Sequence, residues 1–371
     1  MIRGLVARSL YLAHSEGLHP YKCLEPLRFR DGLLIAPCTI LITQSLQLHL
    51  QDMPTLAAAR ASNANYKPTH RPVGLFFGGT SGIGQAMAEK LAAQTAGRVH
   101  IILLGRNKDA AERIISGFPR HDESAYEFER IEATSMKDVR RVTRSLLERL
   151  DKVNFIVASA AFVTTKGRDE TEEGIDKKLA CNIYSRFRFA LDLLPLLEKA
   201  ANAGEDAKFM TILAPGKELT SYLNLDDLGL KKEYSLINAA AVRSHYSDAL
   251  VEVCPTSFST AIPTDGYPPQ EFAQRFPNVS FTHIYPGIVL TPMTTNFHWS
   301  TRPLAPLVRW IATSPADCAE WMWSSLWSSE PEFKAGAHRL GSHSEPLKPN
   351  KAITPEAAKR IWEHAVELTD K

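Results

Sequence analysis

The chain has 371 residues, 44% hydrophobic and 23% charged, enough to bury one large α/β core. Lysine and arginine number 43 against 41 aspartates and glutamates, a balance that leaves no electrostatic footprint for nucleic acid. Cys23, Cys38, Cys181, Cys254 and Cys318 are odd in number and lack metal-ligand spacing, so the expectation is no metal, a reducing compartment and a cytoplasmic protein.

The stretch from Met1 to Leu12 carries Arg3 and Arg8 without an acid, which leaves an organellar presequence open, although Glu16 and Glu25 soon follow. Leu33 to Leu50 is apolar but broken by Pro37, Thr39, Thr43, Gln44, Ser45, Gln47 and His49, and falls short of a membrane span. Residues 1–52 therefore stand as a leader or an extension, and the predicted domain runs over 53–371.

Val73 to Phe77 predicts a buried strand and Gln85 to Ala93 the helix after it. Between them lies Gly78-Gly79-Thr80-Ser81-Gly82-Ile83-Gly84. A turn this tight needs residues tolerant of positive φ, and a backbone without Cβ atoms lets a pyrophosphate reach amides at a helix N-terminus. The next strand, Val99 to Leu104, ends in Gly105-Arg106-Asn107, about twenty residues past the turn, where a dinucleotide fold reads the adenosine ribose. No acid stands there to bind a free 2′-hydroxyl, whereas the Arg106 guanidinium can pair with a 2′-phosphate, so NADP(H) is expected over NAD(H). The competing reading of Arg106 is a solvated residue at a helix N-terminus.

Three later segments fit the same pattern. Asn154 to Ala161 predicts a strand with Ser159 and Ala160 at its end; Asn182 follows Thr171-Glu172-Glu173-Gly174 in a helix; and Tyr285-Pro286-Gly287 is followed by Thr291. With the Gly-x-x-x-Gly-x-Gly turn, they make the chain resemble the short-chain dehydrogenase/reductase family over about residues 70 to 295, in a fungal branch whose members commonly begin with a segment like Met53 to Ala59. The resemblance implies an α/β fold with a doubly wound parallel sheet of Rossmann type, here carrying an N-terminal extension, a C-terminal lid near 292–312 and C-terminal helices. It implies a nucleotide held by Gly78, Thr80, Ser81, Gly82, Ile83, Gly84, Arg106, Asn107, Ser159, Ala160, Pro286, Gly287 and Thr291. Asn182 falls where the family carries its catalytic Asn.

The family's proton donor is a Tyr, with a Lys four residues on along the same helix face. Here the corresponding helix reads Ser235 to Tyr246, which places Ala239 or Ala240 at the Tyr position and Arg243 or Ser244 at the Lys position. The strand Phe209 to Leu213 runs into Ala214-Pro215, where the family usually has a Ser. Substitutes are Tyr234 as donor and Arg243 as a ribose ligand, the latter level with a surface salt bridge. Tyr246 reads as core, His245 as satisfied or exposed, and Tyr184 as pointing away from the Asn182 side.

In the lid, Trp299 and Trp310 either line an apolar pocket or pack the lid onto the core. Trp321, Met322, Trp323 and Trp327 predict a buried or interfacial helix, and Pro355 to Leu368 a terminal amphipathic helix with Thr354 as N-cap. The expected activity is NADP(H)-dependent oxidation or reduction of an alcohol or carbonyl on a small organic molecule, with a secondary metabolite implied by the fungal resemblance. The alternatives are nucleotide binding without turnover, or a non-redox cyclase or dehydratase. No membrane span is expected, and a homo-oligomer is left open.

Overall fold

Five apolar residues in a row, Val73–Phe77, form β1, and all five are buried because helices cover both faces of a parallel sheet. The computed structural model describes residues 54–217, 222–251, 278–292 and 311–370. The predicted leader, the apolar stretch at 33–50, the lid residues 293–310 and Cys23, Cys38 and Cys254 lie outside them.

In chain order the elements are α1 (Leu56–Ala64), β1, α2 (Gly82–Gln94), β2 (His100–Gly105), α3 (Lys108–Ser116), β3 (Ala125–Arg130), α4 (Met136–Arg149), β4 (Phe155–Ala158), α5 (Ser185–Asn202), β5 (Lys208–Ile212), α6 (Leu236–Val251), β6 (Ser280–Ile284), α7 (Pro315–Leu326), β7 (Gly336–Leu340) and α8 (Pro355–Thr369). The seven strands pair in the order β3-β2-β1-β4-β5-β6-β7, every pair parallel. The expected doubly wound sheet of Rossmann type is thus present. Its direction of winding reverses between β1 and β4, where Phe77 faces Ala158 in register, and such a switch opens a crevice beyond the carboxyl ends of the strands.

One apolar layer joins the sheet to α2 and α7. Trp323 is fully buried there, its indole N–H donating 3.0 Å to the Met87 carbonyl and its ring edge-on to Phe155 at 5.1 Å. Trp327 stacks on Tyr66 at 4.5 Å, so these tryptophans are core. The opposite layer is built from α4, α5, α6 and α8. Thr354 caps α8 by accepting from the Ala357 amide, as its sequence predicts. Among the described residues no helix is long and apolar enough to cross a membrane.

Helix α6 carries no single apolar stripe because it is enclosed on most sides, with Ala239, Ala241, Val242 and Ser244 to Ala249 all buried. Its far end is pinned electrostatically. Asp248 receives His283 Nδ1 at 2.6 Å, Asn350 Nδ2 at 2.7 Å and Arg339 Nη2 at 3.1 Å. Tyr246 is core, its hydroxyl donating 2.9 Å to the Leu228 carbonyl. Tyr184 is buried on the α8 side with its hydroxyl 3.0 Å from His364 Nε2, away from the crevice.

Candidate active site

The crevice at the switch point is a cavity of about 380 Å³. A wider depression of about 570 Å³ lies beside α8, away from the glycine turn, and holds no comparable cradle. Gly78 adopts φ +96°, and a Cβ there would stand 2.4 Å from the Ala160 nitrogen. A Cβ on Gly84 would stand 2.3 Å from Ser159 Oγ. The glycines therefore let the turn close against the end of β4, and both positions exclude a side chain. Ser81 sits in an extended conformation before α2 and makes no side-chain cap, which leaves the first-turn amides to an anion. A dinucleotide pyrophosphate fits this cradle.

Gly78, Thr80, Ser81, Gly82, Ile83, Arg106, Ser159, Ala160, Pro286, Gly287 and Thr291 all line the cavity. Thr291 reaches over the turn, its Cγ2 3.1 Å from where a Cβ on Gly82 would be. Two of the residues expected to bind nucleotide are elsewhere. Gly84 supports the turn from behind, and Asn107 caps α3, accepting 3.0 Å from the Ala110 amide. The Arg106 side chain is 68% exposed at the mouth, its Nη1 3.9 Å from Glu132 Oε2.

Of the three residues expected to act in catalysis, Arg243 lines the cavity and Tyr234 stands near enough to act on its charge, while Asn182 is engaged elsewhere. Asn182 is fully buried and grips one backbone unit, accepting 3.0 Å from the Phe162 amide and donating 2.9 Å to the Phe162 carbonyl. It fixes the loop after β4 and does not line the cavity. Tyr234 is also outside the lining; its ring packs on the core with Lys178 Nζ 5.3 Å from its centroid. Its buried hydroxyl has no hydrogen-bond partner among the described residues.

Arg243 does line the cavity, with Ala240 and Ser244, on one face of α6. Ala239 turns into the core, so the rotation of the helix selects Ala240 and Ser244 as the pair at the family's Tyr and Lys positions. Ala214 lines the cavity at the end of β5, and Ser244 Oγ donates 2.8 Å to its carbonyl. Among the described residues lining the cavity there is no Tyr, Lys, His or Asp.

These observations meet a consistent set of relatives. The family model for short chain dehydrogenase matches residues 73–205. An oxidoreductase of Emericella nidulans is 32% identical over 245 residues, covering 66% of this chain and 66% of its own. The oxidoreductase andH of Emericella variicolor is 30% identical over 249 residues, covering 65% of each chain. The chain belongs to the short-chain dehydrogenase/reductase family. The alignments span just under two thirds of these relatives' length. Among solved structures, an uncharacterized protein from Mycobacterium paratuberculosis superposes with a TM-score of 0.57 at 16% identity, over 83% of this chain and 97% of that one, a likeness that shows the fold. The short-chain dehydrogenase/reductase fold binds a nicotinamide cofactor, and the glycine cradle is where this member would hold it.

Two residues at the cleft escape the sequence patterns. Arg186 on α5 is buried and donates to the Ala160 carbonyl (2.7 Å), Thr211 Oγ1 (2.8 Å) and the Ile212 carbonyl (2.7 Å), tying the ends of β4 and β5. Burial pushes its guanidinium down to about 10, with Arg243 adding to the shift. Its signal is a lone charge on the apolar face of Ser185–Asn202, four residues past Asn182. Glu132, just past β3, lines the cavity beside Arg106 and accepts from the Thr134 amide at 3.1 Å and hydroxyl at 2.9 Å.

Proposed function

We propose that the chain binds NADP(H) in this cleft and acts as an oxidoreductase on a carbonyl or alcohol carbon of a small organic metabolite. The observation that carries this reading is the glycine turn closed against β4 beneath an uncapped α2, with Arg106 and no acid at the end of β2. Bound there, the nicotinamide supplies or accepts the hydride. The chain's own part is to hold the phosphates at α2, the 2′-phosphate at Arg106 and the ring end beneath Pro286, Gly287 and Thr291. No described side chain in the cleft is placed to exchange the substrate's proton; water or the substrate exchanges it. Loss of NADPH absorbance with a panel of carbonyl compounds, against a nucleotide-free control, tests turnover directly.

A second reading, nucleotide binding without turnover, is favoured by one specific set: alanine at 214 and 240 and serine at 244, where the family keeps its reacting hydroxyls and ammonium. The same assay separates the two, because that reading predicts NADPH binding with no absorbance loss on any substrate.

The cofactor preference has its own test. A charge-assisted pair is worth about 1.5–3 kcal/mol, so NADPH is expected to bind about 10- to 100-fold more tightly than NADH. Arg106→Ala is expected to bring the two affinities together, and calorimetry showing equal affinities in the parent chain would remove the 2′-phosphate role. Glu132→Gln should sharpen the preference, since it removes the carboxylate that lies 3.9 Å from Arg106.

Tyr234→Phe is expected to leave turnover unchanged and to keep or slightly raise stability, because it deletes a buried hydroxyl with no partner among the described residues. A fall in turnover of about 10²-fold or more would instead make Tyr234 the donor.

A further inference from the structure

We infer that the cleft takes a substrate bearing a carboxylate, held against the guanidinium of Arg243. The inference rests on the reading of this cleft as a substrate site beside NADP(H), and names the class of substrate.

Helix α6 points Arg243 into the cavity between Ala240 and Ser244. Its guanidinium makes no hydrogen bond or ion pair with any described residue, and burial lowers its proton affinity while Tyr234 partly restores it. Arg243 itself is half-buried, whereas a neighbouring guanidinium, Arg186, is fully buried, stands close enough for the two to repel, and has two carbonyls and a hydroxyl rather than an acid as partners. The described acid in the cleft, Glu132, is at the adenosine end, engaged by Thr134 and near Arg106. The inner cleft thus presents the Arg243 guanidinium, with Arg186 buried behind the lining and no described carboxylate beside either. A half-buried cation in an apolar cavity loses hydration without gaining an opposite charge, and one kept in that state marks the place of an anionic ligand.

The nucleotide does not meet this need. Its pyrophosphate belongs at the α2 N-terminus and its 2′-phosphate at Arg106, while ribose hydroxyls offer hydrogen bonds without charge. A carboxylate offers both, in the planar two-oxygen geometry that a guanidinium matches. The neighbouring wall, Phe162, Val163, Ile212 and Leu213, is apolar, so the rest of the molecule is expected to be a hydrocarbon or aromatic body.

The test uses the full chain, with and without saturating NADP⁺, and two probes of one shape, benzoate and benzamide. Calorimetry is expected to show benzoate binding about tenfold or more tightly than benzamide. In Arg243→Gln that preference should vanish, in Arg243→Lys it should persist in part, and NADPH affinity should stay within about twofold in both. Equal binding of the two probes, or no binding of either, overturns the inference without reference to any variant. A loss of NADPH affinity in Arg243→Gln with the benzoate preference intact also overturns it, and assigns Arg243 to the ribose. Failure of NADPH to bind the parent chain removes the proposed function, whereas the probe comparison without nucleotide still decides the inference.

Discussion

Rebuilding the family's reacting groups by Ala214→Ser, Ala240→Tyr and Ser244→Lys is expected to raise NADPH-dependent carbonyl reduction by about 10²- to 10⁴-fold, the usual contribution of a positioned general acid. All three positions line the same cavity, and Ser244 already reaches the Ala214 carbonyl at 2.8 Å, so the new side chains would converge at the inner end of the cleft. Ala240→Phe with the other two changes fills the same volume without a proton, and is expected to give no gain. The new Lys would share the cleft with Arg243, and like charges favour its neutral form. A companion Arg243→Gln should therefore increase the effect on carbonyl compounds that carry no carboxylate. A triple variant no faster than the parent chain, though folded and binding NADPH, would mean that the cleft does not hold a carbonyl at this end. A parent chain already turning over at the restored rate would mean that its proton comes by another route.

Where the sequence succeeded, it did so through local constraints. Positive φ and the need for close backbone approach announce the glycine turn, and five consecutive buried apolar residues announce β1. β3 is harder to see because Ala125–Arg130 reads AYEFER, an edge strand half open to water whose pairing with β2 supplies the order its composition does not. β7, GAHRL, is legible only once Arg339 has its partner on α6. At the site the limit is rotational. The sequence shows a run of three alanines at 239–241, but which of them faces the cleft depends on how α6 turns against β6 and β7, a tertiary property. Asn182 illustrates the same gap: its place in the chain matches the family's, while its amide is spent on the Phe162 backbone. Arg186 and Glu132 acquire meaning only when strands far apart in sequence bring their ends together.

Asp248→Ala is expected to destabilise the fold by about 3–5 kcal/mol, the cost of removing one member of a buried ion pair, and to lower Tm by roughly 4–8 °C. Burial by itself would raise this carboxyl, but His283, Arg339 and Asn350 outweigh burial and hold it below the ordinary carboxylate range. A folded-state value below the unfolded one means that the unfolded chain takes up protons first. The contribution of Asp248 is then fully present above the unfolded carboxylate value of about 3.9 and is lost as pH falls through the lower folded value. In the Ala variant this acid limb of the stability curve should flatten. Asp248→Asn with Arg339→Gln removes both charges but keeps hydrogen-bonding groups in place, and is expected to lose less than the sum of the two single changes, by about 0.5–3 kcal/mol. Because Asp248 lies eight residues beyond Ala240, about 12 Å along α6, the folded fraction of each variant should still bind NADPH. Denaturant unfolding with unchanged midpoints would show that the network contributes nothing to stability; additive losses would show that Arg339 and Asp248 act separately.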